Sequence, residues 1–143
     1  MPRLLVIDDD TDLRAAVSEY LTSLGYEVHE AAEREEAEAL LEHYAYSLVI
    51  TDISLTQLGV EGFDLLRTIS NSSARPKLMV MSGHTGSGHR ERAKQCGADM
   101  YLQKPIPLEV LGAAVRTCIS PRRVSTTVGS RHKQNPESRF IVW

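Results

Sequence analysis

Leu4-Leu5-Val6-Ile7-Asp8-Asp9-Asp10 is an unbroken apolar run that ends in three carboxylates. Short apolar runs without polar alternation are typical of strands that are buried on both faces of a parallel sheet. A second run ends in the same way at Asp52, a third ends in Ser82, and a fourth ends in Lys104-Pro105. The chain therefore predicts several buried strands, each with a polar or charged residue at its carboxyl end.

Helical patterns separate these runs. In the first, apolar residues recur from Leu13 to Leu24 at intervals of three or four, Asp10 or Thr11 can cap the start, and Gly25 suits the end. The same periodicity predicts helices over residues 13–24, 37–44, 63–69, 88–96 and 108–119. The apolar runs predict strands at residues 3–7, 48–51 and 78–81, and weaker strand patterns fit residues 26–31 and 99–103. Five strand–helix units with short connections predict an α/β fold, a doubly wound five-stranded parallel sheet with helices on both faces.

The polar residues at the strand ends converge in such a fold, because the carboxyl ends of parallel strands share the edge of the sheet where ligands bind. We therefore expect Asp8, Asp9, Asp52, Ser82 and Lys104 to form one site. Burial disfavours ionised carboxylates, and like charges at close range repel each other. Several carboxylates at one edge thus predict a divalent-metal site, with Lys104 as a counter-charge.

Composition indicates one domain with a tail. Of the 143 residues, 42% are hydrophobic, which is enough for a core, and the net charge of −3 does not favour nucleic-acid binding. We assign residues 1–120 to the folded domain. Residues 121–143 carry five basic side chains against Glu137 alone and are interpreted as a basic, flexible tail. Its last four residues, Phe-Ile-Val-Trp, either dock on the body or on a partner, or fray.

Several features favour a cytoplasmic protein. Cys96 and Cys118 have no paired spacing and are interpreted as free thiols. The apolar run before Asp8 is too short for a signal peptide, and no stretch approaches the roughly 20 apolar residues of a membrane span. The five histidines, at positions 29, 43, 84, 89 and 132, lack metal-ligand spacing, so we interpret them as solvated or loop residues.

Over residues 3–120 the chain resembles the receiver domains of two-component response regulators. Four motifs carry the resemblance: the acid pair Asp8-Asp9, the lone Asp52, Ser82 followed by Gly83, and Lys104-Pro105. The intervals between these motifs are usual for receivers. Residues 97–102, Gly-Ala-Asp-Met-Tyr-Leu, also look like the family. The resemblance implies a flavodoxin-like sheet with the strand order 2-1-3-4-5, and a cis peptide bond between Lys104 and Pro105.

The resemblance also implies a role for each residue of the site. Asp52 is the phosphoacceptor, a carboxylate that forms an acyl phosphate when it is positioned and its charge is offset. Asp9 is the principal ligand of Mg²⁺, Asp8 assists it, Asp52 also binds the metal, and the backbone carbonyl of Ser54 completes the protein ligands. Lys104 pairs with a phosphoryl oxygen, so Mg²⁺ and Lys104 together offset the charge that develops during transfer.

Two residues are expected to pass the signal on. The Ser82 hydroxyl moves to bind the phosphoryl group, and the ring of Tyr101 turns inward as it does so. The added negative charge, roughly 1.5–2 units, should bias a two-state surface formed by the fourth helix, the fifth strand and the fifth helix. These roles come from the resemblance, since Tyr101 by itself would be interpreted as a half-buried core aromatic.

Two segments depart from the family pattern. The loop over residues 53–62 has Thr56 where receivers commonly have proline, and it is two residues longer than usual. Residues 83–88 are rich in glycine, which predicts a mobile start to the fourth helix. Ser54 and His84 occupy positions that tune the lifetime of the phosphoryl group in the family.

The predicted function is that of a stand-alone response regulator. It would accept a phosphoryl group on Asp52 from a histidine kinase or phosphotransfer protein and then bind a downstream protein partner. We expect no catalysis beyond Mg²⁺-dependent self-phosphorylation and dephosphorylation, and no direct binding to nucleic acid or membranes. Phosphorylation-dependent homodimerisation stays open.

Three alternatives also stay open. An aspartyl phosphatase on a related sheet would carry a second aspartate two residues after the nucleophile, but this chain has Ser54 there. A receiver-like scaffold would bind its partner without phosphorylation; the complete set of site residues disfavours it, whereas the altered loop at 53–62 leaves room for it. The chain would also fit the receiver fragment of a longer regulator, with residues 121–143 as a linker.

Overall fold

The computed structural model describes residues 1–53, 59–72, 74–83, 87–120 and 140–142. The strands are β1 (Arg3–Ile7), β2 (Glu27–Ala31), β3 (Leu48–Asp52), β4 (Lys77–Ser82), β5 (Met100–Gln103) and β6 (Phe140–Val142). The helices are α1 (Thr11–Ser23), α2 (Arg34–His43), α3 (Gly59–Ser70), α4 (Ser87–Gln95) and α5 (Leu108–Ile119). None of the helices in these ranges combines the length and apolar character needed to cross a membrane.

Five of the strands form the parallel sheet that the sequence predicts. The strand order is β2-β1-β3-β4-β5-β6, and β1 to β5 all run in the same direction. Helices pack on both faces of this sheet. The doubly wound α/β prediction is therefore confirmed, together with the order of the first five strands that the resemblance implies.

A sixth strand extends the sheet at one edge. β6 pairs with β5 in the antiparallel direction, and it lies in the segment predicted to be a tail. Among the alternatives for the last four residues, the structure therefore favours docking on the body for residues 140–142. Residues 121–139 and Trp143 lie outside the described residues, so the flexible tail stays a prediction for them.

Successive residues of β1 divide between two cores, because side chains alternate between the two faces of a strand. Leu4 and Val6 pack with α1 and α5, whereas Leu5 and Ile7 pack with α2, α3 and α4. Every residue of β3, at the centre of the parallel strands, is buried. This two-sided burial explains why the strand sequences are apolar runs without alternation.

Local signals mark the start of α1 and the end of α4. The N–H of Leu13 donates to Asp10 Oδ1 at 3.1 Å, so Asp10 is the N-cap of α1. Gly97, after α4, has a φ of +105°, and a Cβ there would lie 2.5 Å from Cβ of Ser70 at the end of α3. Glycine at position 97 therefore permits the left-handed backbone that connects α4 to β5, and it also permits the close approach of the end of α3.

Two sequence-based predictions need correction. Residues 53–62 were expected to form a loop, but α3 already begins at Gly59, because packing of its later apolar residues overrides the low helix propensity of glycine. His29 and His89 were expected to be solvated or in loops, but they are half-buried in β2 and α4. Predictions that concern residues 54–58 and 84–86 lie outside the described residues.

Candidate functional site

The predicted site residues meet at the carboxyl edge of the parallel sheet. Asp8 directly follows β1, Asp52 ends β3, Ser82 ends β4, and Lys104 directly follows β5. Asp8 and Ser82 are fully buried, and Asp52 is 4% exposed. Because β3 lies between β1 and β4, the side chains from distant positions in the sequence reach one place.

Lys104 connects the two buried carboxylates. Its Nζ donates to Asp52 Oδ2 at 2.9 Å and to Asp8 Oδ2 at 3.2 Å. The backbone N–H of Lys104 donates to the carbonyl oxygen of Ser82 at 2.8 Å, and the following peptide bond to Pro105 is cis, as the resemblance implies. Lys104 is therefore held at the end of β4 by its backbone while its ammonium group spans the site.

The three carboxylates are arranged as a candidate metal site. Oxygen atoms from Asp8, Asp9 and Asp52 all lie within 4.8 Å of one another, and Asp9 is exposed whereas the other two are buried. Three carboxylates against one ammonium group leave an excess of two negative charges. Mg²⁺ prefers a few carboxylate ligands together with waters and phosphoryl oxygens, so this donor set fits the metal.

Burial and neighbouring charges both shift the pKa values of the site. Burial raises the pKa of Asp8, although the hydrogen bond from the backbone of Asp10 and the charge of Lys104 partly oppose the rise. Burial by itself would lower the pKa of Lys104, but the hydrogen bond and charge of Asp52, with those of Asp8, outweigh it and raise the pKa overall. Lys104 is therefore a permanent cation of the site at neutral pH.

Arg14, on α1, supports the site and was missed by sequence reasoning. Its Nη1 donates to the carbonyl oxygen of Asp8 at 2.7 Å, and its Nε pairs with Glu30 of β2 at 3.0 Å. The N–H of Asp10 also donates to Asp8 Oδ1 at 3.0 Å. An arginine on the polar face of a helix usually indicates solvent exposure, so nothing in the sequence singles Arg14 out.

Ser82 and Tyr101, the two residues expected to pass the signal on, are both buried. Tyr101 is 5% exposed and packs in the core beneath α3 and α4, and Ser82 is buried at the end of the neighbouring strand. Their roles in signalling stay predictions. Ser54 and His84 lie outside the described residues, so the structure does not bear on the carbonyl ligand or on the lifetime position.

An apolar pocket lies directly beside the acidic site, between α1 and α5. It has a volume of about 380 Å³ and borders Lys104 and Pro105. Its remaining walls are apolar side chains from α1, β4, the connection after β5 and α5, namely Leu13, Val17, Met81, Ile106 and Leu111. The charged site therefore adjoins a surface that can bury an apolar side chain of another molecule.

Residues 4–116 match the family model described as the response regulator receiver domain. The chain belongs to this family. Among curated relatives it is 32% identical over 116 residues to the gliding motility regulatory protein of Myxococcus xanthus, covering 79% of this chain and 15% of that protein. It is 31% identical over 119 residues to the transcriptional regulatory protein AfsQ1 of Streptomyces coelicolor, covering 83% of this chain and 52% of that protein. The receiver chain thus spans about half, or less, of these two relatives.

Solved receiver structures share the fold. A response regulator from Thermotoga maritima superposes with a TM-score of 0.76 at 27% identity, over 83% of this chain and 98% of that chain. A CheY-like receiver domain protein from Methanospirillum hungatei JF-1 gives a TM-score of 0.77 at 28% identity, over 83% and 94% of the two chains. The likeness covers almost the whole of each neighbour, so this chain shares the receiver fold with both.

Proposed function

We propose that this receiver controls an interaction by accepting a phosphoryl group on Asp52 in a Mg²⁺-dependent reaction. The observation that carries the proposal is the bridge by Lys104, whose Nζ lies 2.9 Å from Asp52 and 3.2 Å from Asp8. A purely structural salt bridge would pair one cation with one anion. Here one cation serves two buried carboxylates with a third beside them, which leaves an excess of negative charge that a divalent metal ion would offset before a phosphoryl group is accepted.

Asp52 is the nucleophile in this proposal. One of its carboxylate oxygens attacks the phosphorus of a phosphohistidine on a sensor kinase or phosphotransfer protein. The O–P bond forms as the P–N bond breaks, the imidazole nitrogen keeps the bonding electrons, and that nitrogen then takes up a proton. Lys104 exchanges its hydrogen bond to Asp52 for one to a phosphoryl oxygen, so a positive charge faces the transferring group throughout.

Asp8, Asp9 and Asp52 are the residues that would hold the metal, and the family likeness adds the carbonyl of Ser54. When bound, Mg²⁺ supplies positive charge that offsets the phosphoryl oxygens during transfer. Asp9 is exposed whereas Asp8 and Asp52 are buried, so the candidate metal site opens to solvent at Asp9. The exposed ligand also leaves room for the waters that Mg²⁺ retains.

The proposal extends to the donor and output surfaces. We infer that a donor protein buries an apolar side chain in the pocket between α1 and α5, since this pocket borders Lys104. Ser82 and Tyr101 would carry the change to α4, β5 and α5, where a downstream protein binds. We place this signalling in the cytoplasm and expect no activity towards other substrates.

Intact-mass spectrometry with acetyl phosphate tests the proposal. The wild-type protein should gain one phosphoryl group with Mg²⁺ and none with a chelator, and Asp52→Asn should gain none in either buffer. Asp64→Asn is the matched control, because Asp64 is an exposed carboxylate on α3, away from the site. A phosphoryl group on Asp52→Asn would refute the assignment of Asp52.

A second arm separates a short-lived adduct from an inactive site. Beryllofluoride binds receivers as a stable mimic of the phosphoryl group, and fluorine NMR detects it directly. Binding in the wild type without a visible phosphoryl adduct would indicate rapid hydrolysis. Absence of both, in a folded protein with Mg²⁺ present, would contradict the proposed function and favour a constitutive scaffold.

A further inference from the structure

The C-terminal strand forms the edge of the sheet beside β5, the strand that leads into Lys104. β6 pairs with β5 over three residues, with Ile141 opposite Tyr101 and Phe140 opposite Leu102. Without β6, β5 would be the edge strand, because the parallel sheet ends there. An uncovered edge presents unpaired N–H and C=O groups that can pair with another strand. β6 therefore covers a surface that is otherwise suited to strand addition.

The sequence around β6 suits a strand that can detach. Phe-Ile-Val-Trp, residues 140–143, consists of aromatic and β-branched residues with high strand propensity. The preceding residues, 121–139, are mostly polar and include five basic side chains and two prolines. A strand of three residues is at the lower limit of strand length, and closing the intervening segment costs entropy. We therefore expect the pairing to be weak.

β5 links this edge directly to the site. Leu102 pairs with Phe140, and two residues later Lys104 donates to both Asp52 and Asp8. Tyr101, opposite Ile141, packs against the core beneath α4. Any movement of Lys104 towards a phosphoryl group therefore acts on the end of the strand that β6 pairs with.

We propose that the outer edge of β5 is a strand-docking surface whose resident occupant is residues 140–142 of the same chain, and that phosphorylation of Asp52 releases this strand. The coupling to phosphorylation rests on the proposed function, whereas the docking of β6 does not. Release exposes the β5 edge only in the activated protein. The C-terminal strand thus makes access to this edge depend on the signalling state.

The first arm of the test examines docking without phosphorylation. Amide hydrogen exchange is measured on the full chain, on Ile141→Pro, and on the control Ser130→Pro, which places the same residue outside β6. Proline fixes φ and removes an N–H, so it disrupts a short strand. In Ile141→Pro, the β5 amides that face away from β4 should exchange about tenfold faster or more, because they then depend on local opening. Ser130→Pro should match the wild type.

Unchanged exchange in Ile141→Pro would overturn the docking. Native mass spectrometry of the same samples identifies the source of the strand. A monomer with protected β5 amides supports pairing within one chain, whereas protection found only in a dimer would show that a second copy supplies the strand and would overturn the proposal as stated.

The second arm adds Mg²⁺ and beryllofluoride to the full chain. Trp143 is the only tryptophan and follows β6 directly, so acrylamide quenching of its fluorescence reports on the C-terminal strand. Activation should raise both the quenching of Trp143 and the exchange of the outer β5 amides in the wild type, and should change neither in Ile141→Pro. Bound beryllofluoride with unchanged β5 protection would overturn the release. Failure to bind beryllofluoride would instead refute the proposed function and its control of the strand, while the first arm still decides the docking.

Discussion

Two ionic clusters lie at opposite ends of the sheet, and they differ in burial and in charge balance. At the carboxyl end, Asp8 and Asp52 share Lys104 in a buried site with an excess of negative charge. At the amino end, Arg3 of β1 pairs with Glu27 of β2 at 3.0 Å, in a partly exposed position where the two charges balance. The two clusters use the same kinds of group, so the difference between them lies in burial and in charge balance.

The amino-end cluster is satisfied within the protein. His29 Nε2 lies 3.1 Å from Glu27 Oε2, and His29 Nδ1 shares a hydrogen bond of 2.7 Å with the Tyr46 hydroxyl. The guanidinium of Arg3 lies 5.1 Å from the centre of the Tyr44 ring and also donates to a backbone carbonyl at 3.2 Å. Both ring nitrogens of the histidine are engaged, and no excess charge is left for a ligand.

Burial and charge balance together indicate which of the two clusters has a functional role. A balanced ion pair near the surface contributes little to stability and needs no additional ion to offset its charge. A buried group of like charges lowers stability unless a cation joins it, so its presence indicates that the folded protein binds one. By this criterion the carboxyl end is the candidate functional site, and we expect the amino end to be structural.

Removing the cation at each end should produce the largest difference between the two clusters. Lys104→Met leaves Asp8 and Asp52 facing each other, so without Mg²⁺ we expect the free energy of unfolding to fall by about 3 kcal/mol. Arg3→Met, at the amino end, should cost far less, because solvent screens Glu27. Urea denaturation at pH 8, followed by circular dichroism in a chelating buffer, measures both losses.

Mg²⁺ provides the control for this pair of variants. It should restore part of the stability that Lys104→Met loses, because the metal supplies the missing positive charge between the carboxylates. It should leave the loss in Arg3→Met unchanged. Equal losses in the two variants, or equal responses to Mg²⁺, would show that the two clusters do not differ in the way that burial and charge balance suggest.

Removing one carboxylate at each end should produce smaller effects of opposite sign. Asp8→Asn relieves the repulsion and the cost of a buried charge, so the apo protein should gain about 1 kcal/mol of stability, while its affinity for Mg²⁺ falls. Glu27→Gln should instead lose a little stability, since it weakens the contacts to Arg3 and His29. Thermal unfolding in a chelating buffer, with Mg²⁺ titrations alongside, measures both.

The dependence on pH sharpens this prediction. Burial raises the pKa of Asp8 above its ordinary value of 3.8, so ionised Asp8 costs stability at neutral pH and this cost disappears as the pH falls to that value. The hydrogen bond from Arg3 lowers the pKa of Glu27 below 4.5, so its stabilisation is present above that pH and is lost on acidification. The gain in Asp8→Asn and the loss in Glu27→Gln should therefore both vanish in acid. A gain in Asp8→Asn that grows on acidification would contradict the assignment.

Sequence reasoning predicted the carboxyl-end cluster and missed the amino-end one, for a physical reason. Asp8, Asp52 and Lys104 each follow a buried apolar strand, and parallel strands bring such ends together whatever the intervening sequence. His29 and Tyr46 come together only through the packing of β2 against the segment after α2, which no local pattern encodes. The position of β6 depends in the same way on a tertiary contact, so the sequence left docking and fraying equally open.

The smallest predicted effect tests whether the amino end is only structural. Tyr46→Phe removes the hydroxyl that bonds to His29, at a side chain that is 5% exposed. Burial raises the pKa of Tyr46 to about 12, so this hydroxyl is neutral and a hydrogen bond is all that is lost. We expect a loss of about 1 kcal/mol in the free energy of unfolding, measured by urea denaturation.

Phosphoryl uptake decides between a structural and a functional role for this cluster. Tyr46→Phe should react with acetyl phosphate at the wild-type rate, because its hydroxyl lies at the amino end of the sheet, away from the site of Asp52. Tyr44→Phe is the matched control, since Tyr44 is 43% exposed and should change neither stability nor uptake. If Tyr46→Phe slowed uptake while Tyr44→Phe did not, the two ends would be energetically coupled through β1, and the balanced cluster would have to be counted as part of the signalling machinery.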